Sequence, residues 1–181
     1  MNTIKNPIKN PIASDLSTIS MSTPIGRLDL VAHDEAVVSI WFATDGEGRR
    51  VEQAAPVGPG DHPVLDQAVA QLEEYFAGSR TEFELPLDPI GTAFQHQAWS
   101  ALRRIPYGET ISYGQQAAML GDRNKSRAVG AANGKNPIPI VVPCHRVVGS
   151  NGHLTGFAGG LDTKAWLLDH ERATSLRGTE D

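Results

Sequence analysis

Residues 138–148, IPIVVPCHRVV, contain the only cysteine of the 181-residue chain, Cys144, followed directly by His145 and Arg146. Pro143 lacks an amide hydrogen and fixes one backbone angle, so the segment favours a rigid turn at the end of a strand over a helix or a central strand. Such a turn would present the thiol to a cleft. A free cysteine also packs as a small buried hydrophobe, so reactivity needs further support from neighbouring residues.

Residues directly after Cys144, and a segment further along the chain, favour a reactive thiol. A nucleophilic cysteine needs a base or a cation that makes thiolate available near neutral pH, and His145 and Arg146 supply one of each. Adjacent side chains of an extended chain point to opposite faces, so adjacency alone does not establish contact. The segment Asp169-His170-Glu171 ends an amphipathic stretch and is a candidate source of a third group that orients the base. An inert, packed cysteine is the alternative.

The composition is that of a globular protein long enough to bury a core, as one domain or two small ones. Hydrophobic residues make up 40% and charged residues 20% of the chain, both ordinary values. No run of about 18 apolar residues occurs, so we expect no membrane span. A lone cysteine forms no internal disulfide and no zinc-finger pattern, so we expect a cytoplasmic protein without a metal.

The net charge of −5 conceals an uneven distribution. Residues 1–93 carry 6 Lys+Arg against 14 Asp+Glu, whereas residues 94–151 carry 7 against 2. Positive charge is therefore concentrated around Cys144 and the segments before it, as contact with phosphate would require. Solvated helix faces are the alternative explanation.

The N-terminal half predicts a small domain of antiparallel sheet and helix over residues 18–90, after a mobile extension over residues 1–17. Short apolar runs between turn signals over residues 18–44 predict two or three antiparallel strands. Residues 45–62 are rich in Gly and Pro and predict a loop. A helix begins at Pro63 and stops at Gly78, and the alternation around Phe83 and Leu85 predicts one more strand.

The C-terminal half, residues 91–172, predicts mainly helices, followed by a polar tail over residues 173–181, so the fold class is α+β. Thr92 with Gln95, and Ser112 with Gln115, fit the capping box, in which side chains satisfy unpaired amides at a helix start. These boxes open helices over residues 93–104 and 113–120, and a third run covers residues 125–133. The last two have the proportions of a helix-turn-helix.

The third of these helices has a nearly bare surface. Gly130 lies among Ala128, Ala131 and Ala132, and Arg127 protrudes from them. Small side chains would let this helix approach a nucleic-acid groove closely, and they would equally allow close packing inside a protein. The helix alone leaves both interpretations open.

Several motifs together closely resemble the methylated-DNA–protein-cysteine methyltransferases, the O6-alkylguanine-DNA alkyltransferase family. These motifs are NPIP at residues 136–139, PCHRV at 143–147, GGL at 159–161 and the WLL helix that ends in Glu171. The resemblance is strong over residues 94–171 and looser over residues 18–90. It implies a suicide methyltransferase that repairs double-stranded DNA as a monomer and without a cofactor.

The resemblance implies that Cys144 accepts the alkyl group of O6-alkylated guanine, or more weakly of O4-alkylated thymine, from a base flipped out of the duplex. The thioether is stable, so each molecule acts once. His145 corresponds to the base that takes the thiol proton through a water, and Glu171 to the carboxylate that orients it. Asn136 corresponds to the residue that holds the turn, and Tyr113 to the donor to the leaving guanine.

The resemblance also assigns the DNA contacts and the lesion pocket. Arg127 corresponds to the arginine that fills the gap left by the extruded base. Further DNA contacts are expected from Ser126, Ala128, Gly130 and Arg146. Pocket walls are expected from Val147, Phe157 and Ala158. Many members have Tyr-Ser at the last two positions, so two hydroxyls near the lesion are missing here and the preference among adducts stays open.

Three alternatives compete with repair. A lesion-sensing alkyltransferase-like protein would lack the acceptor cysteine, which this chain has. A cysteine hydrolase would need an oxyanion hole and a family signature that the sequence does not show. A transcriptional regulator would need activator and metal-binding domains beside the helix-turn-helix. Repair by alkyl transfer is therefore the leading hypothesis.

Overall fold

The N-terminal sheet contains three antiparallel strands and one short parallel strand in the computed structural model, which describes residues 15–43 and 54–177. The strands β1 (Ser17–Thr23), β2 (Gly26–His33), β3 (Ala36–Phe42) and β4 (Ala55–Pro56) lie in the order β3-β2-β1-β4, with β4 parallel to β1. Gly26 makes the first hairpin turn at φ 101°, a conformation that suits glycine. The antiparallel strands predicted from the apolar runs are confirmed.

The helix predicted to begin at Pro63 is confirmed as α1 (Pro63–Phe76), which packs on this sheet through one apolar face. Its first turn starts at a proline, and the His62 side chain caps it by accepting a hydrogen bond from the Leu65 amide. The side chains that the helix and the sheet bury together include Leu65, Leu72, Tyr75, Leu30 and Ile40. The core of the N-terminal half therefore lies between α1 and the sheet.

The strand expected around Phe83 and Leu85 is absent from the described residues, and that prediction is wrong. The side chain of Gln71 takes the place of a neighbouring strand, because it accepts from the Glu84 amide at 2.8 Å and donates to the Glu84 carbonyl at 3.1 Å. Backbone pairing of this segment is limited to Val37, which donates to the Pro86 carbonyl and accepts from the Asp88 amide.

The C-terminal half contains the helices α2 (Ala93–Leu102), α3 (Tyr113–Met119), α4 (Ser126–Asn133) and α5 (Leu161–Arg177). Both predicted capping boxes are present, at Thr92 and at Ser112. A short 3-10 turn, Arg123–Lys125, joins α3 to α4. The short strands β5 (Ile111–Ser112) and β6 (Val147–Val148) pair in parallel. The α+β fold with a mainly helical C-terminal half is thus confirmed.

The predicted segment ends fall partly outside the described residues. Residues 1–14, half of the predicted 45–62 loop (residues 45–53) and residues 178–181 lie there, and the described half of that loop contains the short strand β4. Ser17 already belongs to β1, and α5 continues to Arg177, beyond residue 172 where a polar tail was expected to begin.

The two halves meet behind the segment that carries Cys144. The Ile40 amide of β3 donates to the Pro137 carbonyl at 2.8 Å. The rings of Phe42 and Phe157 contact edge to face with their centres 5.5 Å apart. The N-terminal sheet therefore packs against the segment that leads to Cys144 and against the loop that contains Phe157.

Candidate active site and DNA-binding surface

A closed turn, rather than a strand, leads into Cys144. The Asn136 side chain donates to the Val142 carbonyl at 2.8 Å and accepts from the Ile138 amide at 3.0 Å. Ile140 in this turn has φ 74°, a region that β-branched residues rarely adopt. Ile138 and Ile140 are fully buried, so core packing and the Asn136 hydrogen bonds hold the strained turn in place.

Cys144, His145 and Arg146 form a single 3-10 turn, Cys144–Arg146. Successive side chains of such a turn point about 120° apart. Cys144 is left partly buried, whereas His145 and Arg146 are directed into the protein and are buried. The turn therefore directs the Cys144 thiol away from the buried side chains of His145 and Arg146, although all three residues are consecutive.

The carboxylate of Glu171 accepts five hydrogen bonds from described residues. His145 Nε2 lies 2.6 Å from Oε1, and Arg146 donates from Nη2 to Oε1 at 3.0 Å and from Nε to Oε2 at 2.8 Å. The Tyr75 hydroxyl donates to Oε1 at 2.8 Å, and the Gly108 amide donates to Oε2 at 3.0 Å. Glu171 is fully buried, so this cluster fixes the orientation of the His145 ring through its Nε2 atom.

The charges of this cluster define which nitrogen of His145 is basic. Burial opposes ionisation of Glu171, but the bonds and charges of His145 and Arg146 outweigh it and hold the Glu171 pKa well below its usual range. Burial lowers the pKa of His145. A neutral imidazole beside an ionised carboxylate places its proton on Nε2, so Nδ1 is the unprotonated nitrogen. Nδ1 is buried and bonds to no described protein group.

The thiol of Cys144 is protonated at rest. Burial raises its pKa, while the Asn136 side chain and the positive charge of Lys164 oppose the rise. A base is therefore required to form the thiolate. Nδ1 of His145, one residue away, is the candidate.

A cavity of about 610 Å³ opens between α4 and the loop before α5. The residues around it are Tyr113, Ser126, Arg127, Gly130, Gly134, Thr155, Gly156, Phe157 and Ala158. Cys144 is not among them, but it packs in the same apolar cluster as Tyr113 and Phe157. The Tyr113 hydroxyl accepts a hydrogen bond from the Thr155 hydroxyl at 3.0 Å.

Helix α4 presents a nearly bare outer face. Val129, Ala132 and Asn133 are buried on its inner side, whereas Arg127 and Ala128 are exposed. The inner side is anchored by a bond from Trp99 Nε1 to the Ala132 carbonyl at 2.9 Å. The exposed face therefore combines small side chains with the arginine that also borders the cavity.

Known proteins match along nearly the whole described chain. The model of the 6-O-methylguanine DNA methyltransferase DNA-binding domain matches residues 93–173, and that of its ribonuclease-like domain matches residues 17–89. A methylated-DNA–protein-cysteine methyltransferase of Mycobacterium leprae is 45% identical over 161 residues, 87% of this chain and 94% of that protein.

The chain belongs to the 6-O-methylguanine DNA methyltransferase family. It is accordingly an enzyme of the methyltransferase class. The crystal structure of a Mycobacterium tuberculosis O6-methylguanine methyltransferase is similar with a TM-score of 0.80 and 42% identity, covering 88% of this chain and 94% of that one. The Mycobacterium tuberculosis OGT in complex with DNA has a TM-score of 0.76 and 43% identity, covering 88% and 93%.

Two assignments suggested by the family resemblance need correction. Arg146 was expected to contact DNA, but its guanidinium is buried, bonds to Glu171 and donates from Nη1 to the Ile105 carbonyl at 2.7 Å, so it is not available to phosphate. Val147 was expected in the pocket wall, but its side chain is fully buried in the core and does not border the cavity.

Sequence reasoning missed three groups around the site. Tyr75 lies on the buried side of α1, and its hydroxyl contacts Glu171. The Gly108 amide reaches the same carboxylate. Lys164 is fully buried and donates to the carbonyl of Val147, directly after the turn that contains Cys144. A lysine among the apolar positions of the last helix was the one available signal, since lysine is rarely buried without a partner.

The described part of the chain contains neither a metal-binding cluster nor a membrane-spanning helix. Within residues 15–43 and 54–177, no three His, Cys, Asp or Glu side chains converge into a group that could hold a metal ion. None of the helices described is both long and apolar enough to cross a membrane.

Substitution of Glu171 by Gln tests the carboxylate cluster. The variant keeps the shape but leaves the Arg146 charge buried without its counter-charge, so we expect a loss of about 3–5 kcal/mol in the free energy of unfolding, measured with urea. Asp169→Asn, on an exposed position of the same helix, is the matched control and should unfold as the wild type does. Equal stability of both variants would contradict the role of the cluster.

The same comparison has a defined pH dependence. The pKa of Glu171 is lower in the folded than in the unfolded protein, so its stabilisation is present above the unfolded value of about 4.3 and is lost as the pH falls below it. The free energy of unfolding of the wild type should therefore fall from about pH 5 downwards, and Glu171→Gln should lack this part of the fall.

Proposed function

We propose that the protein repairs duplex DNA by transferring the alkyl group of O6-alkylated guanine to Sγ of Cys144, with O4-alkylated thymine as a weaker substrate. The observation that carries this proposal is the 3-10 turn in which a partly buried thiol precedes a neutral histidine fixed by Glu171. The DNA and methylguanine named for the similar proteins support the same substrate class.

The reaction balances within the groups of the site. His145 Nδ1 takes the thiol proton through a water, and the sulfur attacks the alkyl carbon. The S–C bond forms as the C–O6 bond breaks, and the bonding electrons pass to the purine. Tyr113 supplies a proton or hydrogen bond to the leaving base. The proton that His145 took from the thiol then either replaces the proton given by Tyr113 or neutralises the base itself, through solvent. Guanine therefore leaves neutral and the thioether stays on the protein.

A single turnover per molecule follows from the same chemistry. Release of the alkyl group from the thioether would expel Cys144 as an unactivated thiolate, and the thioether carries no proton that His145 could remove. We infer that the methylated protein is the end product.

The cavity beside α4 is the proposed lesion pocket. Its volume of about 610 Å³ lies within the usual range of small-molecule sites. The rings and methyl group of Tyr113, Phe157 and Ala158 offer an apolar wall to a purine. Phe157 and Ala158 have no side-chain hydroxyl, so the backbone at these two residues is the proposed hydrogen-bonding partner of the guanine oxygen.

Helix α4 is the proposed DNA contact, with base flipping. Its bare outer face suits the shallow minor groove, in which sequence information is poor. Ser126, Ala128 and Gly130 would lie along the backbone, and Arg127 would enter the stack and occupy the space of the flipped base. A protein that reads damage needs no base-specific contacts in this arrangement.

The assignment extends to the organisation of the molecule. We propose that residues 18–90 act as a supporting domain and residues 91–172 as the alkyl-acceptor and DNA-binding domain. We also propose that the protein acts as a monomer in the cytoplasm. Supporting contacts from the N-terminal sheet, such as the Ile40 amide to the Pro137 carbonyl, fit this division of roles.

Alkyl transfer to Cys144 predicts a defined change of mass. Incubation with a duplex that carries one O6-methylguanine should replace one hydrogen of the protein by one methyl group, measured by intact-protein mass spectrometry. With excess DNA, repaired duplex should stop at one equivalent of protein. The Cys144→Ala variant should gain no mass and should leave the lesion in place. Turnover of an ester or amide without a mass gain would support a cysteine hydrolase instead.

Replacement of Arg127 separates base flipping from chemistry. Arg127→Ala should slow transfer from duplex DNA by about tenfold, a loss of about 1.4 kcal/mol, because the extruded base is no longer replaced in the stack. Transfer from free O6-alkylguanine base should not change. Arg27→Ala, an exposed arginine on the N-terminal sheet, is the charge-matched control. Equal rates on duplex for both variants would remove the proposed role of Arg127.

A further inference from the structure

Tyr75, on α1 of the N-terminal half, contacts the same carboxylate oxygen as the candidate base. Its side chain is fully buried, and its hydroxyl donates to Oε1 of Glu171 at 2.8 Å. That oxygen also lies 2.6 Å from Nε2 of His145. A residue far from the cysteine turn in sequence is therefore bonded to the atom that orients His145.

The surroundings of Tyr75 fix the direction of this hydroxyl. Its ring packs against the rings of Phe76, Phe83, Tyr107 and His170, with ring centres 5.3–6.0 Å apart. Its carbonyl accepts a hydrogen bond from Nε2 of His170 at 2.8 Å. Because His170 directly precedes Glu171 in α5, the backbone of Tyr75 is tied to the same turn of helix as the carboxylate.

The hydroxyl of Tyr75 stays protonated. Burial raises its pKa well above the usual value, and the negative charge of Glu171 raises it further. An ionised carboxylate only accepts hydrogen bonds, so the hydroxyl is a permanent donor to Oε1. Tyr75 and His145 therefore share the negative charge of one oxygen atom.

The sharing of Oε1 affects how strongly Glu171 attracts a protonated imidazole. Oε1 accepts from Tyr75 and from Nη2 of Arg146 at 3.0 Å, beside its contact with His145. Each donor stabilises the ionised carboxylate and reduces the negative charge that remains for an imidazolium. Removal of the Tyr75 hydroxyl would therefore increase the attraction of Oε1 for a proton on His145.

Other charged and titratable groups also surround this cluster. They come from the cysteine turn, from α5 and from the segment before β5, and they are Cys144 and Arg146, Lys164 and His170, and Tyr107. Burial lowers the pKa of His145 most, and the hydrogen bond and charge of Glu171 raise it. The charges of Arg146 and Lys164 lower it further. Tyr75 acts on the influence of Glu171, which is the one that favours the proton.

We propose that Tyr75 is a positioning residue for the base of the site: by occupying Oε1 of Glu171, its hydroxyl orients the carboxylate and helps to keep His145 neutral. The N-terminal half would thereby influence the proton state of the residue next to Cys144. The effect on His145 belongs to the free protein, whereas its consequence for alkyl transfer rests on the proposed function.

Nitrogen-15 NMR of the His145 ring against pH tests this effect on the full-length protein without DNA. The signals of His145 are identified by their absence from the spectrum of His145→Asn. Tyr75→Phe removes the hydroxyl and keeps the ring. Tyr107→Phe is the matched control, because it removes a hydroxyl from the same group of rings that is not among the donors to Glu171.

We expect the midpoint of the His145 titration to lie about one pH unit higher in Tyr75→Phe than in the wild type, because Oε1 then attracts the imidazolium more strongly. Tyr107→Phe should titrate as the wild type does. Equal midpoints in all three proteins, or a lower midpoint in Tyr75→Phe, would overturn the proposal. A hydroxyl with a merely structural role would lower the melting temperature and leave the midpoint unchanged.

A measurement on the unsubstituted sequence covers the case in which Tyr75→Phe does not fold. Incorporation of 3-fluorotyrosine at the three tyrosines makes each phenol a stronger donor. The His145 midpoint should then move to lower pH, which is opposite to the effect of Tyr75→Phe. The same incorporation into Tyr75→Phe, where that variant folds, should leave its midpoint unchanged. A wild-type midpoint that does not respond to fluorination would overturn the proposal.

Transfer from a duplex that contains O6-methylguanine tests the consequence for the reaction. Between the two midpoints, Tyr75→Phe should transfer more slowly than the wild type by up to about tenfold, and the two rates should converge at higher pH, where His145 is neutral in both proteins. Equal rates at every pH would overturn this consequence. Failure of the wild type itself to transfer would count against the proposed function, whereas the NMR titrations would still decide the effect of Tyr75 on His145.

Discussion

The buried carboxylate of Glu171 is the group on which the rest of the site depends. It joins α5 to the cysteine turn through His145 and Arg146, to the N-terminal half through Tyr75, and to the segment before α3 through the Gly108 amide. A buried ion pair is not by itself evidence of stability, because desolvation offsets much of the attraction. Here additional donors satisfy both oxygens, and the same bonds that satisfy Glu171 also orient His145.

The N-terminal half contributes support rather than reacting groups. The Ile40 amide holds Pro137, and the Phe42 ring packs against Phe157, which borders the cavity. A β-branched residue with positive φ at Ile140 persists only where the surroundings fix it, and the sheet behind the turn provides part of that fixing. The structure therefore connects the strained turn and the position of the thiol to packing in the other half of the molecule.

Local signals in the sequence predicted the elements that depend on local chemistry. The capping boxes at Thr92 and Ser112 are complete within four residues, so the helices that follow them were predictable. The strand expected at Phe83 failed because a side chain, Gln71, satisfies the backbone that a neighbouring strand would have paired. No short-range sequence pattern predicts that a side chain 13 residues away will bond to the backbone of Glu84.

The residues of the site that lie in a recognisable sequence motif were predictable. Cys144 and His145 stand together in the sequence, and the resemblance to the family supplied Glu171. The positions of Arg146 and Lys164 depend on contacts across 25 and 17 residues of chain. The apolar residues beside Lys164 in the last helix are the one local signal of burial. Arg146 was consequently expected to contact DNA, whereas its guanidinium is buried against Glu171.

The central claim is that burial keeps His145 neutral and Glu171 holds its proton on Nε2, which leaves Nδ1 as the base for Cys144. Nitrogen-15 NMR of the His145 ring at neutral pH measures this state directly. The account predicts a neutral imidazole with a protonated Nε2 and an unprotonated Nδ1. An imidazolium, or a proton on Nδ1, would contradict it, because no basic nitrogen would then be available to form the thiolate.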